Sequence, residues 1–478
     1  MSDIQEIKES LSESLQQVIS LLEKHKLVES LVHKQDMPKH DLVESLVHKQ
    51  NLSELQKRLD VLHPADVAYI LEALPLDDRL KVWDLVKAER DGEILLEVSD
   101  AVRQTLIADM DSDELLAAAE QLDTDELADL APDLPKDVLQ DLMFSLDAQN
   151  RERLQSALSY PDDAVGALMD FDIVTIREDI TLEVALRYLR RLGSLPDHTD
   201  KLFVVDRSDI LRGVLPLKRM VVHELDVNVA DVMAEDAVVF HPEDVADEAA
   251  KAFERYDLVT APVVDRNHKL VGRITVDAVM DYIRDEAESD KLSMAGLREE
   301  EDFFSSIWKS VQNRWAWLAI NLITALIASR VIGLFEGSIE KIVALAALMP
   351  IVAGIGGNSG NQTTTMIVRG LALGQISTHN MSSLIKKELG VALLNGLIWG
   401  GVLGLIAYLL YSNYELGLVM MAAMTLNLLL AAIMGVMIPL VMNKSGRDPA
   451  VGSSVLITAV TDSGGFMIFL GLATIFLL

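Results

Sequence analysis

One carboxylate and one glycine-rich run of amides and hydroxyls could do chemistry in an unusual place. Asp462 lies in LITAVTDSGGF, inside an apolar stretch whose interior holds no basic residue. An unpaired Asp at the centre of a membrane helix costs roughly 2.5–3.5 kcal/mol on insertion scales, so it normally faces a polar cavity or an ion path. The competing reading is a carboxylate hydrogen-bonded to neighbouring Thr or Ser for packing. Pro350 opens the second feature, PIVAGIGGNSGNQTTT. Gly354, Gly356, Gly357 and Gly360 let backbones approach, while Asn358, Asn361, Gln362 and Thr363, Thr364 and Thr365 supply oxygens. Glycines alone would mean helix packing. Glycines with this many amides and hydroxyls favour a water-filled path. Hard, neutral oxygens with one carboxylate suit Mg²⁺, which sheds water reluctantly and is gripped through its hydration shell. Without sulfur or His nearby, a soft-metal exporter is disfavoured.

These residues need a membrane scaffold, and the charge distribution points to one. The 478 residues include 74 acidic and 42 basic side chains, a formal net charge of −32, yet half are apolar and the mean hydropathy is +0.24. The two statistics agree once the chain is cut near residue 304. Beyond it lie nine Lys/Arg and six Asp/Glu, a net of +3, which leaves −35 for the first 304 residues. That charge repels phosphate and argues against nucleic acid as a partner. With no cysteine, disulfides, Cys-zinc sites and thiol catalysis are excluded. Five apolar stretches follow: Trp315–Phe335, Ile342–Val368, Val391–Tyr411, Leu416–Met442 and Val451–Leu478. Each can span about 30 Å of hydrocarbon. Lys309, Arg314, Arg369, Lys386, Lys387, Lys444 and Arg447 fall on one side of them, FEGSIEK and YSNYE on the other. The positive-inside rule puts the N-terminal part in the cytoplasm and the C-terminus outside. The start, MSDIQEIKESLSESLQQ, has no basic segment followed by an apolar core, so no signal peptide is expected.

The soluble part divides by pattern. Residues 4–60 read as polar helix, and Leu27–Gln35 repeats as Leu42–Gln50, both LVESLVHKQ. His25, His33, His40 and His48 invite a metal reading, but solvated helix positions explain them better, since no strong His pair with carboxylate support occurs. From Leu52 to about Tyr160, MDSDEL, LDTDEL and LPKDVL recur every 12 residues, each with a capping residue before a Leu. One short helix and a turn per repeat predicts a small solenoid. Over 166–285, β-branched runs (173–176, 202–206, 210–217, then 237–240, 261–265, 270–276) alternate with helical stretches, and VVDR recurs at 204–207 and 263–266. This tandem β-α-β-β-α repeat resembles a pair of cystathionine β-synthase (CBS) domains. Gly272-Arg273-Ile274-Thr275 followed by Asp277 is read as their Gly-h-h-Thr-x-x-Asp nucleotide signature. Gly213 and its followers lack both the Thr and the Asp. ATP at Thr275 and Asp277 is therefore expected in the second copy only, against a purely structural dimer module.

The order of these features resembles the MgtE family of bacterial magnesium channels over about residues 52–478. The resemblance implies a multidomain membrane protein of the bacterial inner membrane: an all-α five-helix transmembrane domain, a cytoplasmic α-solenoid N-domain and α/β tandem CBS domains. The expected boundaries are 1–51 for a polar extension, 52–165, 166–285, 286–312 for an acidic linking helix, and 313–478. A homodimer with its pore on the two-fold axis is implied. Asp462 matches the pore carboxylate, and Asn361 and Thr365, with Asn358 and Gln362, the pore lining. Asp448 matches an acid at the cytoplasmic mouth that meets the linking helix, which carries Asp285, Glu286, Glu288 and Asp290.

The charge of −35 then has a use. Acidic cytoplasmic parts repel at short range unless cations intervene. Mg²⁺ bridging these carboxylates, with Asp277 and Asp281, would favour a compact closed state, and its depletion would open the pore. The expected function is a Mg²⁺ channel under feedback from cytosolic Mg²⁺. A cation-coupled carrier for Co²⁺ or Mn²⁺ is the alternative, and a membrane-anchored nucleotide sensor belongs to another class. An enzyme is disfavoured, because no nucleophile elbow, phosphate-binding loop or paired metal motif is visible.

Overall fold

The computed structural model describes residues 11–24, 26, 52–297, 301–372, 374–376 and 380–478. The duplicated LVESLVHKQ segment, with His33, His40 and His48, lies outside the described residues, as does His25. The chain forms two compact units, residues 1–286 with 302–305, and 287–301 with 306–478.

In the first unit, the 12-residue period extends further than the three expected repeats. His63, Pro75, Lys87, Ser99, Asp111, Asp123, Pro135 and Asp147 all stand at helix N-caps, each 12 residues after the last. Asp111 with Glu114, and Asp123 with Glu126, close reciprocal capping boxes. Alternate helices stack, Pro64–Glu72 on Asp91–Glu97 and Ser112–Ala119 on Lys136–Ser145. Four residues after the cap, the repeat places Val67, Leu115 or Leu127 in the core, but also the fully buried Arg79 and the partly buried Arg103. These arginines fit because they finish the preceding helix. Arg79 Nε donates to Leu71 O and Nη2 to Leu74 O; Arg103 does the same to Leu95 O and Val98 O; Arg151 does so to Met143 O and Leu146 O. Each remaining guanidinium nitrogen can take an acid. Arg103 takes Asp133 at 3.2 Å. Arg79, fully buried, takes Asp302 in a two-pronged pair at 2.7 and 3.0 Å. Residues 11–24 form a helix that is less polar than expected. Val18, Leu21 and Leu22 are buried in one cluster with Leu55 and Leu59.

The CBS repeat has a three-stranded and a two-stranded sheet. β1 (Thr175–Arg177) pairs parallel with β2 (Lys201–Val205), and β2 antiparallel with β3 (Leu211–Pro216). β4 (Thr260–Val264) pairs antiparallel with β5 (Leu270–Thr275). Both copies slip register at the same place, after Val204 and after Val263. The VVDR aspartates explain the repeat: Asp206 accepts from Ser208 N and Ile210 N, and Asp265 from Asn267 N and Lys269 N, each closing a turn. The strand expected at 237–240 shrinks to a parallel bridge between Phe240 and Val263. Pro242, which has no N–H, follows at once and ends further pairing.

The linking helix runs Val276–Ala295, directly out of β5. It therefore starts ten residues before the expected 286 and stops well short of 312. Gly296 ends it at φ +81°, where a Cβ would stand 2.1 Å from the Trp317 indole. Residues 307–312 belong instead to the next helix.

The second unit holds Ile307–Gly333, Ala344–Ala372, Met381–Tyr411, Tyr414–Lys444 and Ser453–Leu477. Among the described residues, four are long and apolar enough to cross a membrane; Ala344–Ala372 does not qualify by composition. It has 29 residues, ample length, but its polar second half lowers its hydropathy. It packs on the last two helices all the same.

Candidate permeation and sensing sites

The Ala344–Ala372 helix separates its residues by face. Gly356, Gly357, Gly360, Thr363 and Thr364 are buried against neighbouring helices, whereas Asn358, Gln362 and Thr365 are exposed on the outside of the unit, with Asn361 at the edge. Thr365 Oγ1 donates to Asn361 O at 3.0 Å. Asn361 Oδ1 is buried with no hydrogen-bond partner. Gly357 brings this helix against the last one, where its Cβ would lie 3.6 Å from Thr461 Oγ1. Asp462, the next residue, is half-buried. Ser454 and Thr458 precede it at four-residue spacing and so share its helix face. Sequence reading missed them, although the spacing was available. It also left Glu388 among loop charges. The Met381–Tyr411 helix starts ten residues before the expected Val391 and carries Glu388 into the packed region, where it is buried, accepts from Thr363 Oγ1 at 3.3 Å and pairs with Lys387.

Asp448 is exposed beside Pro449 and accepts from Ala450 N at 2.8 Å. Its charge reaches the linking helix: the Asp290 carboxyl is pushed up by burial and then by Asp448. Farther back on that helix, Arg284 pairs with Asp281 at 3.0 Å and Asp285 at 3.4 Å. Asp277, Asp285, Glu286 and Glu288 are exposed.

The N-domain supplies acids that sequence reading did not single out. Asp125 rises from the usual 3.8 to about 7, mainly through burial, then through Asp170. Asp91 rises to about 6, through burial and Glu114. Asp129 rises to about 6: crowding that thins its hydration outweighs Arg103, which works the other way, and Asp281, Glu126 and Asp285 add to the rise. Asp129 keeps solvent access, so screening makes its contribution the smallest. Acids of the N-domain thus face acids of the linking helix. Among the described residues, no three His, Asp or Glu side chains of one chain converge as a ready metal site.

A pH dependence follows. Asp125 and Asp91 hold protons more tightly folded than unfolded, so their stabilising effect is complete below about pH 4 and is lost as pH rises through about 6 to 7. In Mg²⁺-free buffer, the full chain is expected to melt at lower temperature at about pH 8 than at about pH 5.5. Added Mg²⁺ should narrow the gap. Equal melting temperatures at both pH values would refute this.

The nucleotide signature needs correction. Only Val276 separates Thr275 from Asp277, so the second spacer position is Asp277 itself and the signature's Asp position falls on Ala278. Thr275 is buried in β5, opposite Thr260. Asp277 lies exposed on the first turn of the linking helix, 3.7 Å from His198 Nε2. Arg273 is held by Asp170 in a buried pair at 2.6 Å, a structural task. A cleft of about 340 Å³ elsewhere in the unit is lined by Tyr160, Phe171, Pro242 and Arg266, not by Thr275 or Asp277.

Comparison with known proteins agrees along the chain. A family profile described as a divalent cation transporter, MgtE, matches residues 349–472; the MgtE intracellular N domain matches 62–163, and the CBS domain 165–224 and 229–285. The magnesium transporter MgtE of Bacillus subtilis (strain 168) is 28% identical over 89% of this chain and 94% of that protein. That of Thermus thermophilus is 31% identical over 70% of this chain and 74% of its own length. A crystal structure of the cytosolic domain of the Mg²⁺ channel MgtE in complex with ATP overlays with a TM-score of 0.45 at 28% identity, covering 50% of this chain and 98% of that one.

Proposed function

The chain belongs to the MgtE family of divalent cation transporters, and from that premise we propose that it is a Mg²⁺-selective channel closed by cytosolic Mg²⁺. The family is one of membrane transporters, not an enzyme class. Mg²⁺ is the transported ion. It enters the cytoplasm down its electrochemical gradient, with the N-terminus inside and the C-terminus outside. Asn358, Gln362 and Thr365 support a pore between two copies, because a polar face turned to hydrocarbon is costly. Asp462 of each copy would grip the hydrated ion, with Asn361 beside it and Asp448 at the mouth.

Gating is supported by the electrostatics of Asp129, whose carboxyl is pushed up first by crowding that thins its hydration and then, against Arg103, by Asp281, Glu126 and Asp285, so that acids of the N-domain and of the linking helix act on one another. Like charges about 4 Å apart repel by about 4 kcal/mol at an effective dielectric near 20. Mg²⁺ relieves that repulsion only where the acids are together, so it binds the compact state better and shifts the population toward it. Glu286, Glu288 and Asp290 extend the same acidic face. ATP belongs to the proposal through the CBS pair as a whole and not through Asp277, since the signature's Asp position is Ala278.

The full chain reconstituted in liposomes tests this. Mg²⁺ influx is expected to stop as Mg²⁺ on the cytoplasmic side rises, and Asp125→Asn with Asp129→Asn should raise the half-inhibiting concentration about tenfold. Influx indifferent to cytoplasmic-side Mg²⁺ would sink the gating reading. Influx only under a proton or sodium gradient would turn the channel into a carrier.

A further inference from the structure

The middle of the membrane unit holds a polar side chain that the pore reading leaves unused. Asn427 lies midway along Tyr414–Lys444 at 0% exposure. Its Nδ2 donates to Val352 O at 2.9 Å, on the helix that carries Asn358 and Asn361. A Cβ on Gly356 would stand 2.2 Å from that nitrogen, and one on Gly465 2.7 Å from it. Asn427 therefore fills a slot that exists only because both positions lack a side chain. Gly465 is one turn beyond Asp462 on the same helix, and Gly356 is two residues before Asn358. One side chain of a third helix thus touches both helices that bear the pore residues.

The amide is an expensive choice for mere filling. Asn427 Oδ1 is buried and has no hydrogen-bond partner. A leucine has the same branched four-atom frame, with bulkier methyl ends, and would strand no oxygen. Val352 O does not depend on Asn427 either, since a helical carbonyl already accepts from four residues on. What the amide adds is a directional link of fixed length.

We propose that Asn427 is a positioning residue for ion selection: by seating in the two glycine notches, it sets the separation and rotation of the Ala344–Ala372 and Ser453–Leu477 helices, and with them the place of Asp462 relative to the helix that carries Asn358 and Asn361. This rests on the pore reading of Asp462. A hydrated ion is sorted by the distance from its water shell to the surrounding oxygens, so a small shift of one helix alters selectivity before it alters folding.

The test compares wild type, Asn427→Leu, Asn427→Ala and Asp462→Asn as full chains in liposomes, with Mg²⁺ and Co²⁺ influx read separately. Melting temperature serves as the folding control. Asn427→Leu is expected to melt no lower than wild type and to lose on the order of tenfold in its Mg²⁺-over-Co²⁺ preference. An unchanged ratio in a folded Asn427→Leu or Asn427→Ala would overturn the inference.

A second readout does not need conduction. The chain has no cysteine, and a Cβ at position 357 would stand 3.6 Å from Thr461 Oγ1, which makes the two positions neighbours for a cross-linking pair. Gly357→Cys with Thr461→Cys should cross-link readily beside Asn427 and several-fold more slowly beside Asn427→Leu. Equal rates would mean that the amide positions nothing. If Asp462→Asn conducts and selects like wild type, the pore reading fails, while the cross-linking rates still decide whether Asn427 sets the helix spacing.

Discussion

Asp462→Asn should leave a folded protein that barely passes Mg²⁺. The substitution keeps shape and removes charge, so packing around Gly464 and Gly465 has no reason to change. A carboxylate about 4.5 Å from a divalent ion, one water layer away, attracts it by about 7 kcal/mol at an effective dielectric near 20, before desolvation is offset. Two copies would double the loss. Since about 1.4 kcal/mol is tenfold, retention of a third of this attraction as net stabilisation already predicts a fall in influx of roughly 100-fold or more. Liposome flux with an internal Mg²⁺ dye measures it. Influx within threefold of wild type would remove Asp462 from the pathway and restore its reading as a packing carboxylate.

The second large effect concerns stability. Asp302→Ala is expected to destabilise the chain by about 3 kcal/mol, because it strands the fully buried Arg79 guanidinium. The two helix carbonyls that Arg79 also holds cannot neutralise its charge. The repeat itself suggests the rescue. Val67, Leu115, Leu127 and Leu139 stand at the position Arg79 occupies, so the repeat accommodates an apolar side chain there. Arg79→Leu combined with Asp302→Leu should recover most of the loss, as buried ion pairs replaced by apolar residues often do. Thermal melts of the full chain in detergent would show it. A double variant no better than Asp302→Ala would mean that the pair has a further role.

What could be read in advance depended on how local its cause was. Apolar runs, the VVDR repeat and the acidic caps act over a few residues, and they led to the membrane helices, the CBS pair and the solenoid. The solenoid period was visible where Asp111, Asp123 and Pro135 held the cap; His63, Lys87 and Ser99 hid three further turns behind different chemistry, and Pro75 and Asp147 stood outside the recurring Leu pattern. Arg79 and Asp302 are 223 positions apart, and no pattern links them. Asn427 looked like one polar residue in an apolar span until two glycines on other helices came to rest against it. Glu388 was misplaced because a helix start was judged from apolar content, while the helix begins among polar residues at Met381. The acids that face the linking helix were legible only as an excess, since helix caps and solubility call for the same residue types.

The absence of any break between β5 and the linking helix has a mechanical consequence. Thr275 ends the strand and Val276 begins a helix of 20 residues. Such a rod is about 30 Å long. With no slack at its base, a tilt of about 10° there sweeps its tip by about 5 Å, close to one helical pitch. At the tip, Gly296 turns the chain at a positive φ with the Trp317 ring filling the space where a side chain would be. Under the proposed gating, such a stiff arm would turn ångström-scale adjustments among carboxylates at its base into a displacement of its tip comparable with the water shell of an ion.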